Sequence, residues 1–327
     1  MPNENIVLKT GPGAGEELSP ELIRLRDQAK IFASGAKSRR TREAYSKAWA
    51  QFEEWCRDHG VTSLPADPVL VAAFVTYLAE EGIRPTSIDL ALVAISQAHK
   101  LSGHDSPTTS SAVRETLKGV RREVGTATRQ VAPLLPEHIR RIVDTLGGDP
   151  IGLRDRALLL IGFAGAFRRS ELVALNVSDI EEHPEGIKIL LRRSKTDQEG
   201  QGRIVGIPFA EDPKLCPIRA LRRWVDRSGI TTGPIFRSVS RYGRVSDKTI
   251  TGRSVARIIK RAVADAGYDP THFSGHSLRS GLATAAAAAG KSERSIMATT
   301  GHRSEKMVRK YIREGSIFLD NAADGLL

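Results

Sequence analysis

The sequence predicts a mainly α-helical protein in two domains, an all-helical N-terminal domain and an α+β C-terminal domain with one small antiparallel sheet. Three observations lead there. Up to Glu123 the apolar residues recur at spacings of three and four, and no alternating strand pattern precedes residue 130. Residues 125–136 (GTATRQVAPLLP) then break the periodicity with glycine, threonine and two prolines, the composition of an extended linker. Beyond them the helical pattern is interrupted by two short apolar runs, Gly186–Arg193 and Arg203–Pro208, joined by the polar turn Ser194–Gly202.

The elements follow in order. Residues 1–19 hold glycine, proline and glutamate without a period and are expected to form a disordered tail. Pro20 at a first helical position, behind Ser19 as a cap, opens a helix over Glu21–Ser34. The next runs from Ser38 to His59 with Tyr45, Ala48, Trp49, Phe52 and Trp55 on one face, and Gly60 ends it. Pro68 starts a helix that turns Val71, Phe74, Val75 and Leu78 inward and stops at Gly82. Thr86 or Ser87 caps Ile88–Leu101, and Ser110 or Ser111 opens Ala112–Glu123. The expected boundaries are therefore 20–124 for the helical domain, 125–136 for the linker and 137–327 for the second domain. In that second domain Glu137–Leu146 and Leu153–Phe167 are helical, and helices resume after the strands at Pro217–Arg227, Thr249–Ala266, His276–Ala289 and Ser292–Thr299. The end carries Ile317, Phe318, Leu319, Leu326 and Leu327, an apolar segment too short for a core of its own.

Composition narrows the class. Only Cys56 and Cys216 occur, which excludes a disulfide scaffold and a cysteine-based zinc site and fits a reducing compartment. The longest apolar run, Ala157–Phe167, falls short of the ~20 residues of a membrane helix, and the N-terminus has no apolar signal core. A soluble, intracellular protein is expected. The net charge of +11 is unevenly placed: 17 basic and 16 acidic residues up to position 130, against 32 and 22 beyond it. An excess confined to one half suggests a polyanionic partner, most simply nucleic acid, with a bare solvated basic surface as the alternative.

Three segments concentrate reactive side chains. Gly165-Ala166-Phe167-Arg168-Arg169-Ser170-Glu171 follows the most apolar helix; an arginine ending a buried helix needs an anionic partner, unless the pair simply lies on the surface. In Ser274-Gly275-His276-Ser277-Leu278-Arg279-Ser280-Gly281, His276 and Arg279 share a helix face, both can donate to phosphate oxygens, and the flanking glycines permit close approach of a backbone or ligand. Thr300-Gly301-His302 is followed nine residues on by Tyr311, set among Lys306, Arg309, Lys310 and Arg313, where a positive field favours a phenolate nucleophile. A histidine three residues from an arginine is common, and a tyrosine near a C-terminus often only packs.

Taken together, Arg168, His276-x-x-Arg279, Gly301-His302 and Tyr311 resemble the signature of the tyrosine recombinase (phage integrase) family. In that family a lysine lies in a β-hairpin turn, the place Lys195 occupies here. The N-terminal half is similar to the family's core-binding domain. Trp49, Trp55-Cys56, Pro65-Ala66-Asp67-Pro68, Tyr77-Leu78 and Ser102-Gly103 resemble its Cre-like branch especially. One departure stands out: His302 occupies a place where that branch often carries tryptophan.

The resemblance implies that Tyr311 attacks a DNA phosphodiester to give a 3′-phosphotyrosine and a free 5′-hydroxyl. Arg168 and Arg279 would hold the non-bridging oxygens, His302 would add a donor, His276 would take the tyrosine proton and Lys195 would protonate the leaving oxygen. Glu171 is expected to orient a basic neighbour. No metal and no other cofactor is implied. DNA contacts are expected from Lys37, Arg39, Arg40, Arg42 and Lys47 and, as a base reader, from Arg253. The resemblance further implies a monomer in solution that forms a homotetramer on two paired sites, exchanging a terminal helix at about 316–327, in a bacterial cytoplasm. A type IB topoisomerase-like enzyme and a catalytically silent DNA-binding regulator are the competing readings.

Overall fold

The computed structural model describes residues 37–125, 131–192, 202–302 and 304–315, together with Glu21, Arg24, Leu25 and Gln28. The chain divides into two compact units, Met1–Thr128 and Arg129–Leu327. Among the described residues no helix is long and apolar enough to cross a membrane.

Among the described residues the first unit holds four α-helices, and the four described residues of the expected Glu21–Ser34 helix are also helical and exposed. Helix α1 (Arg39–Asp58) is capped by Ser38, whose Oγ accepts from Thr41 N–H. In α2 (Pro68–Glu80) Asp67 caps and Pro68 occupies the first position. The same device moves the start of α3 (Pro85–Leu101): Pro85 opens it, with no side-chain cap, three residues before the expected start. Ser110 caps α4 (Ser111–Glu123). Helix α1 packs on α3 and α2 on α4. The core holds Phe52, Phe74, Val75, Leu78, Ile88 and Ile95, with Trp49 and Trp55 tilted against the phenylalanines. His99 is fully buried and neutral: Nε2 accepts from Ala66 N–H, which leaves Nδ1–H to donate to Ile95 O, and burial holds its pKa below the usual range.

The second unit begins earlier than the sequence suggests. Residues 131–135, expected as linker, belong to it: Leu134 is completely buried, and the Ala132 and Leu134 N–H groups donate to His272 O and Ser277 O. Helices α5 (Pro136–Thr145) and α6 (Pro150–Ala164) follow, then the short α7 (Arg169–Val173). Strands β1 (Ile180–His183), β2 (Gly186–Leu191) and β3 (Arg203–Pro208) form an antiparallel sheet in that order. Ile187, Ile189, Leu191, Val205 and Ile207 point into the core from it. After α8 (Pro217–Ser228) comes a second, two-stranded sheet of β4 (Arg237–Val239) and β5 (Val245–Thr249), where one sheet was expected. Strands β1 and β5 are mostly exposed and polar, so no alternation announces them. Helices α9 (Gly252–Asp265), α10 (Ser277–Ala288), α11 (Glu293–Thr300) and α12 (Glu305–Gly315) follow.

Helix α6 is buried on all sides and packs against α8 and α10, so it anchors the unit. A smaller apolar cluster joins α10, α11 and α12 through Ala283, Ala287, Ile296 and Val308 and includes Tyr311. The expected exchange segment 316–327 lies outside the described residues.

Candidate active site

Five chain segments converge in the second unit, beginning with the turn after α6. Phe167 folds back so closely that a Cβ on Gly165 would stand 2.4 Å from its ring. Ala166, fully buried, adopts φ 49°, a left-handed conformation that costs a residue with a Cβ about 1 kcal/mol. Its carbonyl accepts from Arg279 Nη1 at 2.8 Å, so the strained peptide orients a guanidinium. Arg168 then serves as the N-cap residue of α7 rather than ending a buried helix. Its Nη1 donates to Glu171 Oε1 at 2.6 Å and its backbone N–H to Oε2 at 2.9 Å. The buried Glu171 carboxylate thus caps the helix and holds the side chain at once.

His276 stands at the N-cap of α10, its backbone N–H donating to Ser274 Oγ. Its Nε2 lies 2.9 Å from Tyr311 Oη. Lost hydration, then the Arg279, Arg168 and Arg169 charges, hold the His276 pKa below the usual range. One turn on, Arg279 is only 1% exposed, and its Nε and Nη2 are buried with no hydrogen-bond partner. Burial, then the Arg168 charge, push its pKa down to about 10, which leaves it cationic at neutral pH. The glycines around this segment do admit close neighbours. A Cβ on Gly275 would stand 1.9 Å from Arg169 Cδ, and one on Gly281 2.0 Å from Leu134 O.

His302 follows the left-handed Gly301 that ends α11, and its ring centroid lies 5.7 Å from that of Tyr311. Thr300 Oγ1 donates its one proton to Ile296 O at 2.7 Å, so its 2.8 Å contact with His302 Nδ1 requires Nδ1–H as the donor. The Nε2 atom of neutral His302 therefore carries a lone pair. Burial first, then Arg279, Arg168, His276 and Arg203, push the His302 pKa down to about 3. His302 is thus neutral in the free protein and becomes an Nε2 donor only on protonation, which qualifies the donor role expected for it.

The cluster holds a residue that sequence reasoning passed over. Arg203, the first residue of β3, lies 3.9 Å from Glu171 Oε2 and donates from Nη1 to Thr299 O at 2.7 Å. A signal was present: in RIVGIP the alternation puts Arg203 on the same face as the buried Val205 and Ile207, where a cation needs a partner.

Of the other expected residues, Lys195 lies outside the described residues. Arg253 is exposed at the second position of α9, where Arg169 Nη1 lies 3.5 Å from Gly252 O. The basic run of the first unit is not uniform. Arg40, Arg42 and Lys47 are exposed, Arg39 pairs with Glu43, and Lys37 donates to Gln97 Oε1 and sits 4.9 Å over the Tyr45 ring. Among the described residues no three His, Cys, Asp or Glu side chains converge as a cation-binding group.

Residues 132–316 match the phage integrase family. The chain is 40% identical to an integrase/recombinase XerD homolog of Selenomonas ruminantium over 91% of its length and 89% of the relative's. It is 26% identical to recombinase Cre of Escherichia phage P1 over 82% and 81% of the two chains. In fold it is similar to a lambda integrase dimer bound to a COC′ core site, with a TM-score of 0.61 and 21% identity, covering 89% of this chain and 94% of that one. The Tn1549 transposon integrase in complex with transposon right end DNA is likewise similar, with a TM-score of 0.64 and 15% identity over 87% and 92%. A family match across more than half of the sequence, joined to 40% identity along nearly all of one relative, establishes that this chain belongs to the phage integrase family of tyrosine recombinases.

Proposed function

We propose that the protein is a site-specific recombinase that cuts and rejoins double-stranded DNA through a 3′-phosphotyrosyl link to Tyr311. One observation carries the reading: the Tyr311 hydroxyl lies 2.9 Å from His276 Nε2, in a cluster where Arg279 keeps two buried N–H-bearing nitrogens unpartnered. Unsatisfied buried donors cost about 1–3 kcal/mol, and a phosphate supplies the acceptors they lack.

In the cleavage step Tyr311 Oη attacks phosphorus while its proton passes to His276 Nε2. The P–O5′ bond breaks, and Lys195 gives a proton to the departing 5′-oxygen. Negative charge gathers on the non-bridging oxygens of the five-coordinate phosphorus, where Arg168 and Arg279 meet it with charge-assisted donors. A phosphate beside His302 Nε2 favours the imidazolium and turns that residue into a further donor. Rejoining runs the same steps in reverse: a 5′-hydroxyl attacks the tyrosyl phosphate and Tyr311 leaves. The phosphodiester bond energy stays in the tyrosyl link, so no nucleotide is consumed. Arg40, Arg42, Lys47 and Arg253 contact the duplex, and four protomers assemble on two paired sites with residues 316–327 docking between neighbours.

The test is covalent capture. Wild type and Tyr311→Phe are incubated in EDTA with nicked suicide duplexes drawn from the gene's native neighbourhood. The expected result is a protease-sensitive adduct at a 3′ end with wild type and none with Tyr311→Phe, which still binds the duplex. An adduct formed by Tyr311→Phe would overturn the assignment of the nucleophile. Tight sequence-specific binding without any wild-type adduct would favour a silent regulator, and relaxation without site preference a topoisomerase.

A further inference from the structure

We propose that Arg203 is a positioning residue for strand cleavage: it ties the end of α11 and the Gly301–His302 turn to Glu171, and so sets where the His302 imidazole stands against Tyr311. The inference rests on the recombinase reading above and adds to it a residue outside the set that the family signature supplies.

The side chain spans three elements. Arg203 begins β3, and its Nη1 donates to Thr299 O at 2.7 Å and lies 3.4 Å from Ala298 O. These are carbonyls of the last turn of α11, the negative end of that helix, where a cation is favoured. On the other side Nη2 stands 3.9 Å from Glu171 Oε2, within ion-pair range but too far for a hydrogen bond. Glu171 is itself engaged by Arg168, so one carboxylate references two guanidiniums. Between them lies Gly301, at φ 65° and ψ 37°. A Cβ there would approach Arg203 Nε to 2.8 Å and Cζ to 2.9 Å, so the guanidinium occupies the space that a side chain at 301 would need. His302 is the next residue, and its Nδ1 bonds to Thr300 Oγ1 on the same turn.

The arrangement is a poor choice for stability alone. Arg203 Nε and Nη2 are buried without hydrogen-bond partners, and burial, with Arg168 adding to it, lowers the Arg203 pKa. An apolar side chain of similar volume would serve a purely structural role at no such cost. What an arginine alone provides is a rigid fork long enough to bond the Thr299 carbonyl and face Glu171 at once; a lysine can satisfy one or the other. Among the described residues, the groups that act on His302 are Arg168 before α7, Arg203 on β3, His276 and Arg279 at α10, and Tyr311 on α12.

Two full-length variants, Arg203→Lys and Arg203→Met, test this by two routes. The first needs no DNA. Imidazole resonances of His302, assigned with His302→Gln, are followed by NMR between about pH 5 and 8. In wild type the ring is expected to stay neutral with the proton on Nδ1. Arg203→Lys keeps a cation, so charge alone predicts no change, whereas loss of the fork is expected to shift the His302 signals and to bring its titration into this range. Unmoved signals in both variants overturn the proposal. The second route measures single-turnover cleavage at saturating protein on the duplex that wild type captures. The expected losses are about 10-fold for lysine and about 100-fold for methionine, with DNA affinity and thermal midpoint retained. Parallel loss of affinity and folding would reduce Arg203 to a structural residue. A substrate with sulfur at the 5′-bridging position needs no proton on its leaving group. The defects are expected to persist on it, and their rescue would overturn the role at His302 in favour of one in leaving-group protonation. Should wild type form no adduct on any duplex, the recombinase reading fails, while the NMR route still decides whether Arg203 positions His302.

Discussion

Two arginine clusters of the second unit treat buried charge in opposite ways. Around Asp155, which is 1% exposed, Arg154 donates through Nε and Nη2 to one carboxylate oxygen at 2.8 and 2.7 Å, and Arg261 engages the other oxygen. Around Glu171, the guanidiniums of Arg168 and Arg203 share one buried carboxylate, and Arg279 beside them reaches only a backbone carbonyl. The first cluster holds α6 to α9 with its hydrogen bonds on the carboxylate complete. The second is left with uncompensated donors, the feature on which the proposed phosphate site rests. Buried arginine thus signals function here by what it fails to find.

The largest effect should come from Arg279→Met. Cleavage is expected to fall about 10²–10³-fold in single-turnover capture, because a transition-state donor is lost. The thermal midpoint should stay level or rise, since an under-paired buried charge disappears. A fall in midpoint as steep as the fall in rate would erase the contrast between the clusters. Asp155→Asn should do the reverse: about 3 kcal/mol of stability lost in urea unfolding as Arg154 keeps a buried charge without its counter-ion, with adduct yield per folded molecule unchanged.

His302 gives the contrast a pH dependence. Its folded pKa of about 3 lies below the ~6.5 of an unfolded histidine, so the unfolded chain binds the proton more readily. This contribution to stability is complete above the unfolded value and is lost as the pH falls from there toward 3. His302→Gln should therefore flatten the loss of stability on acidification. Duplex engagement should conversely take up a proton, seen as a buffer-dependent binding enthalpy that His302→Gln abolishes. The smallest effects belong to the first unit. Lys47→Ala should lower the salt dependence of binding by about one unit of slope, while Lys37→Ala, whose ammonium is engaged by Gln97 and Tyr45, should leave the slope unchanged. Equal slopes for the two would remove the distinction between the exposed and internally engaged lysines.

Most helices could be placed from the sequence because their signals are local: Ser38, Asp67 and Ser110 as caps, Pro68 at a first helical position, and the three-and-four spacing around Phe52 and Phe74. The β2–β3 hairpin was legible for the same reason, since Ile187, Ile189, Val205 and Ile207 alternate with outward residues such as Leu190 and Ile204. Strands β1 and β5 left no such trace, and residues 131–135 looked like linker because prolines mark extended backbone whether or not another element covers it. The left-handed Ala166 was equally hidden, since glycine is the usual mark of that conformation and Gly165 stands beside it in a right-handed one.

The amino-acid order by itself determined which side chains are chemically equipped for phosphate transfer, and their spacing put His276 and Arg279 one helical turn apart, because those relations run along a single element. Only the tertiary structure decided the rest. It brought Tyr311 to His276 across 35 positions, engaged Arg203 with Thr299 across 96 and gave Lys37 to Gln97 across 60. The physical reason is that hydrogen bonds and burial are satisfied in space. A charge shows in the sequence, while whether it is neutralised, strained or left waiting for a partner depends on which distant elements the core packs against it.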